Sequence, residues 1–306
     1  MTADSLRAEV GAYIASGEDI PDSVFVDLCG RIAEFQGGLD EGDGLDAVRP
    51  TPEEMFKLMT VAHFPPGEAV AEFRTSGTTR GQCGRHLVRD LDWYRQAAMA
   101  GFVMNCLYEP VPTAFVSLIP GPNARPTSSL SHMVGFVLHG REQAVWARHG
   151  DAIDQAVVCG FLDWAVAQGT PVCLLGTTLD FDTLTCAIGE TGKAWRLPAG
   201  SRVMHTGGEK ASGRVLVREE LWRWCSQCLG IEANDVIEEF GMTELMSQAY
   251  DSPRVHGGPR RFVPVPWMRT RVVNPVSWQD VSEGQRGLLC HYDLANIDTA
   301  VAILSQ

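Results

Sequence analysis

Between residues 114 and 240, short apolar runs alternate with longer helical ones, and this alternation constrains the fold more than any other feature. Runs 114–119, 171–175, 201–205 and 235–240 are strand-like, each brief and rich in apolar or β-branched residues. Runs 151–168, 181–189 and 218–229 carry helical spacing. Strands separated by helices pack as a parallel sheet with crossover helices, so the sequence predicts an α/β core. Upstream, Leu6, Val10, Tyr13 and Ile14 share one helical face, and Val24, Leu28, Ile32 and Phe35 another. Thr51-Pro52-Glu53-Glu54 predicts a helix start with proline in the first turn. A strand is expected over 69–73, a helix over 90–106, a helix or loop over 243–249, and short strands and turns thereafter. The chain so divides into a helical segment, 1–68, and an α/β core, 69–306.

A net charge of −13 argues against a nucleic-acid or anionic-membrane partner, because such a surface repels phosphate at long range. No apolar stretch approaches the roughly 18 residues a membrane span needs. The nine cysteines are irregularly spaced and several lie in apolar runs, which fits small buried hydrophobes in a reducing compartment, and a cytoplasmic location is expected.

Two segments carry chemistry. In Thr75-Ser76-Gly77-Thr78-Thr79, four hydroxyl residues surround one glycine, followed by Arg80, Gly81, Gly84 and Arg85. A polyphosphate needs many short donors and a backbone free to curl around it, and this run supplies both. A solvated Ser/Thr turn has the same composition. No Gly-Lys-Ser/Thr follows, so it is not the P-loop of NTPases. The second segment, Phe240-Gly241-Met242-Thr243-Glu244, leaves the end of a predicted strand, where open α/β sheets place ligands. A carboxylate there suits Mg2+, an aromatic ring suits a purine, and a threonine suits a phosphate oxygen; an acidic helix N-terminus is the plainer alternative. Thr206-Gly207-Gly208-Glu209 ends another strand in a glycine turn.

Together these segments resemble the adenylate-forming superfamily of acyl-CoA synthetases and adenylation domains, and within it the acyl-protein synthetase family. Pro126-Thr127-Ser128-Ser129-Leu130-Ser131-His132-Met133, Leu174-Leu175-Gly176-Thr177, 197–210 and Asp293-Leu294-Ala295-Asn296 extend the resemblance over roughly residues 70–300. It implies the superfamily's N-terminal core, with mostly parallel sheets flanked by helices and the small C-terminal domain absent. It also implies ATP- and Mg2+-dependent activation of a fatty or aromatic carboxylic acid as an acyl-AMP. A thiol (protein cysteine, carrier or coenzyme A) then accepts the acyl group, ahead of a downstream reductase or transferase. Relatives act on aromatic acids in phenazine antibiotic biosynthesis.

By the same resemblance, Thr75, Ser76, Gly77, Thr78 and Thr79 hold the outer phosphates, with Thr78 counted among the catalytic residues. Gly207, Gly208 and Glu209 line the adenine and ribose. Phe240 takes the place of a stacking tyrosine, with Gly241 and Met242 beside it. Thr243 contacts the α-phosphate and Glu244 ligates magnesium. Ser128, Ser129, His132 and Met133 lie near the substrate carboxylate. Arg80 departs from the usual glycine, the usual proline-lysine is missing, and Arg85 is the candidate replacement. The sequence ends before the expected ribose-binding aspartate, which keeps open a nucleotide- or acyl-binding core with reduced catalysis. An ATP-independent acyltransferase using Cys83 or Ser129 is the third reading. Cys225-Ser226-Gln227-Cys228 has CxxC spacing without a second ligand pair.

Overall fold

The computed structural model describes residues 2–75, 83–207 and 217–305. Two helices open the chain, α1 (Ala3–Ser16) and α2 (Asp22–Phe35). The Thr2 hydroxyl caps α1 by accepting from Ser5 N–H, and Gly17 ends it at φ 68, a left-handed conformation suited to glycine. Leu6, Val10 and Ile14 of α1 and Phe25, Leu28 and Ile32 of α2 are buried.

Strand β1 (Thr51–Pro52) and the short helix α3 (Met55–Leu58) follow. The predicted helix start at Thr51 is thus displaced, because Thr51 and Pro52 pair in parallel with Ile303 and Leu304. Proline fits there because an edge strand can spare its N–H. Strands β2 (Ala71–Arg74) and β3 (Arg85–Val88) form an antiparallel pair ahead of α4 (Leu91–Cys106), whose N-cap Asp90 accepts from Asp92 and Trp93 N–H.

The α/β core then unfolds in order: β4 (Ala114–Ser117), α5 (Ser129–Leu138), β5 (Ala144–Trp146), β6 (Arg148–His149), β7 (Ala152–Ile153) and α6 (Gln155–Gln168). Next come β8 (Val172–Thr177), α7 (Thr178–Thr191), β9 (Arg202–Thr206), α8 (Arg218–Trp224) and β10 (Val236–Phe240). The predicted helix over 151–168 begins late because Ala152 and Ile153 pair with β6 and Asp154 takes the N-cap, accepting from Val157 N–H at 3.0 Å. The chain closes with β11 (Ala249–Asp251), α9 (Pro253–His256), β12 (Val263–Pro264), β13 (Met268–Val273), β14 (Leu288–Asp293) and β15 (Ala302–Ser305).

The central sheet has the order β12-β11-β10-β9-β8-β4-β5. Its β10-β9-β8-β4-β5 part is parallel; β11 pairs antiparallel with β10, and β12 antiparallel with β11. Side chains alternate across it as strand geometry requires. Phe115, Cys173, Leu175, Met204 and Ile237 join the core formed with α4 and α5. Val116, Leu174, Val203 and Val236 join a second core under α6, α7 and α8. A smaller sheet, β1-β15-β14-β13, lies to one side. Among the described residues no helix is long and apolar enough to cross a membrane.

Candidate active site

Strands β2 and β3 bring the two ends of the Ser/Thr/Gly segment together. Ser76, Gly77, Thr78 and Thr79, with Arg80, lie outside the described residues, as do Gly208 and Glu209. The neck of the segment is described. Thr75 N–H donates to the Gly84 carbonyl at 3.1 Å, and Gly84 N–H donates to the Thr75 hydroxyl at 2.8 Å. Glu72 holds Arg74 (2.6 Å) and Arg85 (2.6 Å) on its two oxygens, so Arg85 is already paired. Those bonds, Arg85 first, hold the Glu72 carboxyl below the usual carboxylate range.

Glu244 lies on the turn that leaves β10. A Cβ placed on Gly84 would lie 3.3 Å from the Thr75 hydroxyl and 3.4 Å from Glu244 Oε1, so both chemical segments converge on this glycine. Glu244 is buried, and burial pushes its carboxyl up to about 7. A desolvated carboxylate oxygen beside a hydroxyl fits a hard cation. Among the described residues no group of three or more His, Cys, Asp or Glu side chains could hold a metal by itself, so any cation here would take oxygens from its ligand as well.

The turn is fixed residue by residue. His86 Nδ1–H donates to the Thr243 carbonyl at 2.7 Å, while His86 Nε2 accepts from the Thr299 hydroxyl at 3.2 Å. Burial takes His86 down to about 4, which keeps the ring neutral and able to play both roles. Asn296 Nδ2 donates to the Glu244 carbonyl at 2.9 Å. Asp293 accepts from Met246 N–H, Ser247 N–H and the Ser247 hydroxyl, and Trp267 Nε1 donates to that hydroxyl at 2.9 Å. Residues 243–247 therefore form an anchored turn, the loop of the two alternatives expected here, with β11 taking over at Ala249.

Phe240 is half-buried, with its ring 5.6 Å from His291 and 5.8 Å from Phe262. Gly241 is exposed, and Met242 and Thr243 are half-buried. Thr206 pairs with Glu239, so Gly207 and Phe240 leave the same edge of the sheet side by side. Gly207 has φ 81, and its carbonyl accepts from the Thr178 hydroxyl at 2.7 Å.

The predicted substrate residues surround the start of α5. The Ser128 hydroxyl caps the helix by accepting from Ser131 N–H at 3.1 Å. The Ser129 carbonyl accepts from Tyr94 OH at 3.0 Å. His132 bonds the Pro126 carbonyl through Nε2 at 2.9 Å and lies 5.2 Å from the Phe73 ring, while Met133 is core. Arg74 N–H donates to the Thr127 carbonyl at 2.8 Å, which ties this loop to the neck. Sequence reasoning assigned no role to His86, Asp293 or Asn296; a buried Asp-x-x-Asn turn within the apolar stretch 288–297 was the available signal. Cys225 is buried, Cys228 half-buried and Cys83 exposed.

This sheet order, with a hydroxyl-rich neck and an anchored aromatic-Gly-x-Thr-Glu turn at the strand ends, defines the N-terminal core of the adenylate-forming fold. Residues 152–302 match the family described as acyl-protein synthetase, LuxE. Among solved structures, a 2-hydroxyisobutyryl-CoA ligase in complex with 2-HIB-AMP and CoA superposes with a TM-score of 0.63 at 15% identity, over 94% of this chain and 65% of that one. ATP-bound MatB from Rhodopseudomonas palustris gives 0.51 at 15% identity, over 77% and 41%. The long-chain-fatty-acid-CoA ligase FadD1 from Archaeoglobus fulgidus gives 0.51 at 14% identity, over 78% and 44%. The chain thus spans between 41% and 65% of the length of these structures. No curated protein sequence matches it.

Proposed function

We propose that the chain is the nucleotide- and acid-binding core of an enzyme that uses ATP to activate a carboxylic acid as an acyl-AMP, then passes the acyl group to a thiol. The convergence of Thr75 and Glu244 on Gly84 carries this reading, because it joins a phosphate-type loop to a cation-type carboxylate. Ser76, Gly77, Thr78 and Thr79 hold the outer phosphates, and Phe240 with Gly207, Gly208 and Glu209 holds the adenosine. Thr243 donates to the α-phosphate, and Glu244 holds Mg2+. Bound Mg2+ supplies charge neutralisation on the phosphate oxygens.

The acid enters beside Ser128, Ser129, His132 and Met133. Its carboxylate oxygen attacks the α-phosphorus, the bond to the pyrophosphate oxygen breaks, and pyrophosphate leaves. The nucleophile is already an anion near pH 7, so no general base is required; positioning and electrostatics do the work. A thiolate of a protein cysteine, a carrier or coenzyme A then displaces AMP, and a reductase or transferase consumes the product.

Isothermal titration with ATP and AMP in magnesium tests this, using wild type, Glu244→Ala and Thr78→Ala. Saturable ATP binding is expected, weakened about tenfold or more in each variant, equivalent to roughly 1.4 kcal/mol or more per lost contact. Absence of binding to folded wild type, or equal binding by all three proteins, would overturn the proposal.

A further inference from the structure

One face of the central sheet carries buried polar groups that the fold leaves unmet. Glu239 on β10 is 5% exposed and pairs in register with Thr206 on β9 and Tyr250 on β11. The Thr206 hydroxyl bonds its carboxyl. Tyr250 is fully buried, and its hydroxyl has no partner among the described residues. Gln248 Oε1 and Asn105 Oδ1, both buried, are without partners in the same sense.

These side chains converge. A Cβ on Gly241 would lie 2.6 Å from Glu239 Oε1 and 3.5 Å from Gln248 Cγ. One on Gly101 of α4 would lie 3.3 Å from Tyr250 Cε2 and 3.4 Å from Gln248 Oε1. Asn105, one turn further along α4, donates to the Gly101 carbonyl at 2.9 Å. Two amide oxygens and the phenol are unpartnered, the Asn105 amide N–H2 is committed to the Gly101 carbonyl, and the carboxyl has one hydroxyl donor. Buried acceptors without donors are costly, so their retention marks a place where a ligand supplies donors.

The surroundings indicate the rest of that ligand. Tyr94 on α4 reaches the start of α5 through the Ser129 carbonyl, and its ring packs on Phe73 (5.0 Å) and Phe136 (6.0 Å). An aromatic wall therefore adjoins the acceptor-rich end, the usual composition of a small-molecule pocket. Glu239 directly precedes Phe240, so this end lies one residue from the proposed adenosine contact.

We infer that Glu239, Gln248 and Tyr250 line the acid site, and that the acid carries a hydroxyl or amino donor besides its carboxylate. This rests on the acid-activating reading above and names its substrate class; an unsubstituted hydrocarbon chain would leave the acceptors unmet.

The test is calorimetric titration with AMP and with acyl-sulfamoyl adenosines bearing octanoyl, benzoyl, 4-hydroxybenzoyl or 4-aminobenzoyl groups. The 4-hydroxy or 4-amino analogue should bind about tenfold or more tighter than the benzoyl and octanoyl ones, with the two arms separating hydroxyl from amine. In Glu239→Ala and Tyr250→Phe the ratio should fall toward one. Reading the ratio within each protein removes any effect of lost folded material, and Tyr250→Phe serves if Glu239→Ala does not fold. Equal or tighter binding of the octanoyl or benzoyl analogue, or a ratio unchanged in the variants, overturns the inference while AMP binding upholds the nucleotide site. If neither AMP nor any analogue binds, both readings fall.

Discussion

Replacing Asp293 by alanine removes one fully buried carboxyl that accepts from Met246 N–H (2.9 Å), Ser247 N–H (2.9 Å), the Ser247 hydroxyl (2.7 Å) and Ala295 N–H (3.0 Å). Burial pushes this carboxyl up to about 6 even against those donors, so near pH 8 the anion holds the turn. Each donor left unmet in the interior costs roughly 1–3 kcal/mol. Partial relaxation of the turn brings the sum to about 3–5 kcal/mol, the size seen when one partner of a buried charged group is removed. Unfolding entropy of about 2.1 cal/mol/K per residue over 306 residues converts this to a Tm lowered by about 5–8 °C. Asp293→Asn keeps the shape but turns an amide N–H2 toward N–H donors, and should lose about half as much. Differential scanning calorimetry at pH 8 reads both. Because Glu244 opens the same turn, the affinity of Asp293→Ala for ATP with magnesium should also fall, measured well below its Tm. A Tm within about 2 °C of wild type, with ATP affinity unchanged, would refute the argument that this network holds the site.

Other variants probe separate links. Gly176→Ala puts a methyl 2.8 Å from Phe181 Cε2 and 3.1 Å from Leu118 Cδ1, and overpacking of this kind should cost about 1–3 kcal/mol in urea melts; a neutral result would mean the strand shifts freely. Thr75→Val removes the acceptor for Gly84 N–H and should cost about 1 kcal/mol while weakening ATP binding, and unchanged titrations would detach the neck from the nucleotide. Burial pushes Glu239 from 4.5 up to about 7, so the folded chain keeps a proton there that the unfolded chain has released. The associated stabilisation is complete below about 4.5 and is lost as pH rises through about 7, by at most roughly 3 kcal/mol. Glu239→Gln should therefore gain Tm relative to wild type between pH 5 and pH 8, and a constant difference would contradict the shift.

The parallel core was legible because strands covered on both faces read as apolar runs, and β4, β8, β9 and β10 fall within a few residues of their expected places. Thr51-Pro52-Glu53-Glu54 was misleading for the opposite reason. Its local chemistry is that of a helix start, but Thr51 and Pro52 are taken by the distant strand β15. The two candidate segments stood out because they are unusual in side-chain type, hydroxyls around a glycine and an aromatic-Gly-x-Thr-Glu run. His86 did not, and Asp293 and Asn296 were marked only by the resemblance and without a role, because all three bind backbone N–H and carbonyl groups that every residue owns.

Glu238-Glu239 shows how the two kinds of information combine. Successive strand side chains point to opposite faces, so on a strand with neighbours on both sides and layers on both faces the pair cannot share one outlet to solvent. Glu238 is answered by Arg218. Glu239, on the other face, has a threonine hydroxyl and no cation among the described residues. A carboxyl placed inward without an opposite charge breaks the local pattern that the rest of the strand obeys. Such a break persists where something outside the chain completes it, and the donor-bearing acid inferred above is the kind of ligand that would do so.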